Sequence, residues 1–191
     1  ANKGNRGILG LITYKVGMAS AIVKDSTPNS MTLGKRIAIP VTILEAPAMK
    51  IFSVRFYKNG KVMKEVVVSD DKELKKKLKL PKVVDVKKLD EVKDYDDMGV
   101  IVYSIASQTS VKKTPDLIEL AVAGDKEKKL EYIKNLIGKE ITIKDFAKAE
   151  LVDTRGLTTG KGFSGPVKRF GISLKAHKSE KGRRRPGSLG L

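Results

Sequence analysis

Residues 158–191, TTGKGFSGPVKRFGISLKAHKSEKGRRRPGSLGL, carry the side chains best suited to chemistry in this chain, and the chemistry is phosphate binding. Positive charge recurs at Lys161, Lys168, Arg169, Lys175, Lys178, Lys181, Arg183, Arg184 and Arg185, with Glu180 the only acid. Each guanidinium offers a fixed fork of donors that matches phosphate oxygens. Glycine falls at 160, 162, 165, 171, 182, 187 and 190, and its missing side chain lets a backbone approach a partner closely. Phe163 and Phe170 sit among these charges, where a ring either stacks on a nucleic-acid base or anchors the segment to its own domain. His177, the single histidine, reads as a group that stacks on or hydrogen-bonds to RNA, or as a solvent-exposed side chain. The stretch holds too little apolar surface to keep one shape alone, so a polyanion, most commonly nucleic acid, would shape it.

Other readings of the same residues fail on spacing. Gly160, Gly162 and Gly165 match the dinucleotide fingerprint in form, but that motif needs a helix directly after it and an acid about 20 residues on. Here Pro166 opens a basic, glycine-broken segment. The phosphate-loop motif fails as well. Three residues instead of four separate Gly156 from Gly160, and Gly162 stands where the motif needs Ser or Thr. One histidine without cysteine makes neither a familiar metal cluster nor a nucleophilic dyad. No spacing of serines and carboxylates forms a catalytic set, so the residues call for no cofactor and no enzymatic activity.

The net charge of +17 is uneven. From Arg155 onward ten basic residues meet one acid, a net +9, which leaves +8 for the first 154 residues. Such asymmetry points to a polyanion. A merely solubilising tail would not call for so much glycine. Hydrophobic residues make up 40% of the chain, enough for a core. Absent cysteine excludes a disulfide frame and fits a reducing, cytoplasmic setting. No apolar run approaches the roughly 20 residues of a membrane-spanning helix, and the first residues, ANKGNRGILG, lack a signal-peptide pattern.

The elements that must position the basic stretch follow from periodicity. Residues 8–14 and 19–24 read as short strands joined by a turn at Lys15, Val16, Gly17 and Met18. Residues 25–34 form a loop, and 35–44 a β-branched strand in which Pro40 requires an edge or a bulge. In 50–57, alternation puts Phe52, Val54 and Phe56 on one face, with Ser53 and Arg55 on the other. Asn59-Gly60 marks a type I′ hairpin turn, with 62–68 as the return strand. After Ser69 the composition changes. Asp70 and Glu73 suggest a capping box, with Leu74 and Leu78 on one helical face ended by Pro81. Residues 85–98 carry Val86, Leu89 and Val92 at helical spacing, and the lysine runs here read as solvated helix faces. Strands are expected over 100–105 and 116–123. A helix capped by Asp125 should run to Ile137 on the stripe Leu130, Ile133, Leu136 and Ile137, stopped by Gly138. Residues 139–144 and 150–157 return to strand character, with one helical turn between them at 145–149.

Several segments together resemble a known family. LGLITYKVGM, GKRIAIPVTILEAP, KKTPDLIELAV, LEYIKNLIGKEI, VDTRGLTTGKGFSGPVKRFG and HKSEKGRRRPGSLG are similar to the universal large-subunit ribosomal protein three, in order along nearly the whole chain. GPVKRFG and RRRPGSLG place the likeness in its archaeal and eukaryotic branch. The resemblance implies a mainly β fold with an α/β insert: a translation-protein-type β-barrel, an inserted α/β lobe and a long basic glycine-rich extension. Mapped onto this chain, 1–68 is the first barrel segment, 69–138 the lobe, 139–159 the second barrel segment and 160–191 the extension.

The resemblance further implies a structural constituent of the large ribosomal subunit that binds its RNA early in assembly and lies near the peptidyl-transferase centre. The partners would be that RNA and neighbouring large-subunit proteins, in the cytoplasm, with no membrane, small-molecule substrate or cofactor. Lys161, Phe163, Lys168, Arg169 and Arg183–Arg185 would contact RNA by position. Family members usually begin with a basic, proline-containing arm and continue beyond GSLG to a tryptophan-bearing tip before completing the barrel; this chain is expected to lack both. Ser164 stands where many members have glutamine, and Arg155 interrupts the usual VDV strand. The rival reading is a non-ribosomal basic nucleic-acid binder, which would take duplex DNA equally well.

Overall fold

The computed structural model describes residues 7–146, 151–177 and 181–190. The chain divides into two compact units, Ala1–Ala149 and Glu150–Leu191. The first is mainly β and entirely antiparallel among its described residues. It contains a five-stranded sheet in the order β1-β7-β6-β4-β5 and a two-stranded ribbon, β2-β3. The strands are β1 (Gly7–Ile8), β2 (Tyr14–Lys24), β3 (Arg36–Glu45), β4 (Met49–Lys58), β5 (Lys61–Val67), β6 (Asp97–Ser104) and β7 (Leu117–Ala123). The helices are short: α1 (Lys88–Glu91), α2 (Lys126–Leu136) and, in the second unit, α3 (Pro166–Phe170).

The ribbon corrects the first expectation. The strand expected over 8–14 is confined to β1, and β2 runs through the proposed turn, because Val16 is absorbed as the extra residue of a bulge between Lys15 and Gly17 instead of reversing the chain. Pro40 lies opposite Ser20 in a ribbon of only two strands, where its missing N–H costs no ladder bond on the free side. The loop between the strands is held by Asp25, whose carboxylate accepts from the Thr27 amide at 2.8 Å, the Ser30 hydroxyl at 2.8 Å and the Thr32 hydroxyl at 2.5 Å. Those donors, Thr32 first, hold the Asp25 carboxyl far below the usual carboxylate range.

The Asn59-Gly60 turn forms with both residues at positive φ, 50° and 72°, as a type I′ hairpin requires. The alternation expected for β4 breaks at Phe52. A bulge between Ile51 and Ser53 shifts the register against β6. It switches the parity of the strand, so Met49 and Ile51 before it share a face with Val54 and Phe56 after it. Phe52 turns to the opposite face and packs with Leu74, Ile101 and Tyr103. A period of two cannot anticipate an inserted residue.

The main core lies on the face where Met49, Ile51, Val54, Phe56, Val100 and Val102 meet Leu89 of α1 and Ile133 of α2. Phe56 is fully buried and meets Tyr95 edge to face, centroids 4.9 Å apart. β4 and β5 precede position 69 while β6 and β7 follow it, and all four share one sheet.

The middle segment is less helical than its periodicity suggested. Residues 72–76 form a 3-10 turn without a side-chain cap. The expected capping box does not form; instead the Asp71 carboxylate accepts from the Tyr103 hydroxyl. Of the helix expected over 85–98 only α1 exists, and Asp97 already begins β6. β7 and α2 form close to their expected bounds, with Gly138 in the left-handed region at φ 80°. Asp125 precedes α2 without a side-chain cap; its carbonyl accepts from the Lys129 amide. Residues 139–144 give only a single bridge, Ile141 to Met49, before a 3-10 turn at Ile143–Phe146. Residues 151–157 have no regular structure, so no strand forms there either. The first segment meets the edge of β4 at one residue only, and no strand partner is seen for 151–157 among the described residues.

A polar junction ties the ribbon to the sheet. The Tyr14 hydroxyl bonds Ser104 Oγ at 2.8 Å and donates to Asp116 Oδ2 at 2.9 Å. Lys112 reaches both Asp116 oxygens at 2.6 and 2.7 Å, and Lys77 reaches Oδ1 at 3.0 Å. Burial pushes the Asp116 carboxyl up, but the Lys112, Lys77 and Tyr14 donors outweigh it and lower it to about 2. A carboxyl depressed in the folded state contributes stability above its unfolded value of about 4. That contribution is lost as pH falls from there through the folded value. Asp116→Asn is therefore expected to flatten the acid-side decline in stability between about pH 4 and pH 2, with a loss at pH 7 on the order of 2 kcal/mol. Urea midpoints across that range check it; a variant with the wild-type pH profile would remove Asp116 from the acid response.

Candidate nucleic-acid interface

The second unit contains one regular element, and its sequence explains it. Pro166 occupies the first helical position, where its fixed φ suits and its missing N–H is not needed. Gly171 ends the turn in the left-handed region at φ 66°, its amide bonding the Val167 carbonyl at 3.0 Å. GPVKRFG is thus one closed turn of helix that projects Lys168 and Arg169. This corrects the reading of the segment as glycine-broken; proline at the start and glycine at the stop were the signal. The turn does not revive the dinucleotide motif, because it is five residues long and no strand leads into it.

The apolar side chains of this unit do not gather into a core. Leu151, Leu157, Phe163, Phe170 and Leu189 are all strongly exposed, Phe163 completely. The Arg169 guanidinium lies 5.2 Å from the Phe170 ring centre, a cation–π distance. Lys161, Lys168, Arg169, His177, Lys181, Arg183, Arg184 and Arg185 are exposed, and Lys175 is half-buried. Lys178 lies outside the described residues.

One backbone contact organises the end of the unit. The Lys175 amide donates to the Arg183 carbonyl at 3.1 Å, and Arg183 Nε returns to the Lys175 carbonyl at 3.4 Å. The two bonds hold Lys175 and Arg183 side by side. Arg185 folds back over Gly182, where a Cβ would meet its Nε at 3.1 Å. Gly182 sits at φ 87° and Gly187 at φ 83°, backbone that other residues rarely adopt. The three adjacent arginines are consequently not equivalent: Arg183 is tied to Lys175, Arg185 packs over glycine, and Arg184 carries no contact of this kind. Sequence reasoning did not see this division, which depends on the pairing with Lys175.

The arrangement can neutralise phosphates and stack bases. The first unit is mainly β, and the second is exposed, basic and rich in glycine. Comparison with known proteins identifies the family. The profile of the family described as ribosomal protein L3 matches residues 3–79 and 55–191. The chain belongs to the ribosomal protein L3 family.

It is 40% identical over 192 residues to large ribosomal subunit protein uL3 of Methanocaldococcus jannaschii, covering 93% of this chain and 57% of that protein. The uL3 of Methanosphaera stadtmanae is 37% identical over 200 residues, 96% of this chain and 59% of its own length. That of Picrophilus torridus is 36% identical over 197 residues, 98% and 59%. These relatives are archaeal, the branch that GPVKRFG and RRRPGSLG indicated. The chain spans less than two thirds of the length of the curated relatives it matches.

Proposed function

We propose that the protein is a structural, non-enzymatic constituent of the large ribosomal subunit. Its second unit enters large-subunit RNA and neutralises phosphates where RNA segments converge, near the peptidyl-transferase centre. It joins during early assembly, in the cytoplasmic ribosome, beside other large-subunit proteins. Family membership supports this, and the carrying observation is the exposed array of Lys161, Lys168, Arg169, Lys181 and Arg183–Arg185 on a unit without a core. Lys175, His177 and Lys178 complete the proposed RNA-binding set, and Phe163 supplies a ring for stacking. Lysines and arginines fix register by phosphate contact, while glycines let the backbone follow the RNA surface.

The finer architecture belongs to the same proposal. A translation-protein-type barrel comprises 1–68 and 139–159, the α/β lobe is 69–138, and the extension is 160–191. The lobe then grows out of the barrel's own sheet through the β4–β6 pairing. Exposed apolar side chains on the ribbon, Met18, Ile22 and Ile43, support further β-structure closing over it.

The test is a salt titration. Binding to folded large-subunit ribosomal RNA should show log K falling against log salt by about 0.7 to 0.9 for each phosphate contacted. With roughly six to ten contacts, affinity should drop by several orders of magnitude over a modest range of salt. Duplex DNA of equal charge should bind more weakly. Equal affinity for both would replace this reading with that of a non-ribosomal nucleic-acid binder.

A further inference from the structure

We propose a second phosphate-binding surface, on the first unit, formed by Lys75, Lys76, Lys77, Lys79, Lys112 and Lys113 and directed at the RNA backbone. It rests on the reading of the protein as an RNA binder but uses no residue of the extension.

The observation is a tertiary one. The 3-10 turn at Lys72–Lys76 and the loop before β7 are far apart in sequence, yet they meet around a single carboxylate. Lys77 and Lys112 both pair with Asp116, at 3.0 and 2.6 Å. Lys76 Nζ donates to the Lys113 carbonyl at 3.3 Å. Lys75, Lys79 and Lys113 have no carboxylate within ion-pair distance among the described residues. The turn and the loop before β7 thus bring Lys76, Lys77, Lys112 and Lys113 together, with Lys75 and Lys79 beside them in sequence, and exposed charges interact over roughly 10 Å at 0.1 M salt.

Several lysines elsewhere on this unit each pair with an acid of their own. Lys128 pairs with Asp125, Lys129 with Asp97, Lys134 with Asp90, Lys58 with Asp94 and Lys64 with Glu91. The acids nearest the 3-10 turn in sequence, Asp70, Asp71 and Glu73, line a separate cavity with Lys50 and Tyr103. Asp116 is itself fixed by Tyr14 and by the bond from its amide to Ser104 Oγ, so the lysines converge on a rigid point.

The chemistry favours phosphate over an acidic protein. Lysine is depleted at protein–protein interface cores, and this patch contains neither arginine nor an exposed aromatic anchor. Flexible ammonium groups without forks or rings suit diffuse backbone contact, which positions RNA without reading its bases.

The experiment uses the full 191-residue chain with folded large-subunit ribosomal RNA. Lysine acetylation read by mass spectrometry should show Lys75, Lys76, Lys79 and Lys113 protected by RNA, with Lys128 and Lys134 unprotected. The quadruple variant K75Q/K76Q/K79Q/K113Q should bind about 10- to 100-fold more weakly at 0.1 M salt, with a slope shallower by about 2 to 3. The corresponding arginine variant should retain binding. Thermal melts of the glutamine variant should match wild type, since none of the four holds a carboxylate partner. Unchanged acetylation and affinity, alongside a loss in the R183A/R184A/R185A variant, would overturn this surface and leave the proposed function standing. No loss in either variant would overturn both. Equal protection by poly-glutamate of the same charge would make the patch a protein-binding face and also overturn the inference.

Discussion

Alanine at Arg183, Arg184 and Arg185 together is expected to lower affinity for folded large-subunit ribosomal RNA by two to four orders of magnitude. Hydrogen bonds between charged groups contribute on the order of 1.5–3 kcal/mol each, and at least two of the three guanidinium groups should engage phosphate. Successive side chains in extended backbone point to opposite sides, so the run can bridge two RNA segments. The structure adds an order to the single variants. Arg184, without a tie to Lys175 or Gly182, should be the most costly to lose for RNA alone. Arg183→Ala should also loosen the pairing with Lys175. Lysine at all three positions keeps the charge and loses the fork, and should fall between alanine and wild type. Incorporation of tagged variants into large-subunit particles, in competition with wild type, reads the same effect during assembly. An alanine triple variant that binds and incorporates like wild type would reduce the run to a solvated tail.

The second large effect concerns stability and contrasts two phenylalanines. Phe56→Ala should cost about 3–5 kcal/mol, because the ring is fully buried between the sheet and Tyr95. Against a typical domain stability of about 5–15 kcal/mol, that is enough to leave the first unit marginal or unfolded. Phe163→Ala should leave the urea midpoint within about 0.5 kcal/mol of wild type, since its ring touches water on all sides. It should instead weaken RNA binding by about 1–3 kcal/mol if the ring stacks on a base. A wild-type midpoint for Phe56→Ala would mean the main core is not where the sheet places it. A large stability loss for Phe163→Ala would make that residue an anchor and not a stacking platform.

Local chemistry was legible wherever one residue type dictates one backbone state. Asn59-Gly60 announced its hairpin because few other pairs accept two successive positive φ values. Gly138 announced the end of α2, and Leu130, Ile133 and Leu136 its buried stripe. The basic, glycine-rich unit was equally plain, because a segment with almost no apolar residues cannot build a core whatever surrounds it.

What the amino-acid sequence by itself determined is therefore the inventory: a β-rich unit with enough apolar residues to fold, and a cationic extension with too few. Tertiary structure decided everything that depends on a partner distant in sequence. The bulge before Ser53 is fixed by pairing with β6, and it sends Phe52 to the opposite face from Val54 and Phe56. The capping box expected of Asp70 and Glu73 does not form, and Asp71, which precedes the turn, instead accepts from Tyr103, distant in the chain. Residues 139–144 and 151–157 have strand-like composition, but the first pairs only at Ile141 and the second has no strand partner among the described residues, and a strand is defined by its neighbour. Lys76 and Lys77 looked like a solvated face until folding set Lys76 against the Lys113 carbonyl and Lys77 beside Lys112 on Asp116. Charge can be counted along a chain, but its density on a surface exists only after the chain has folded.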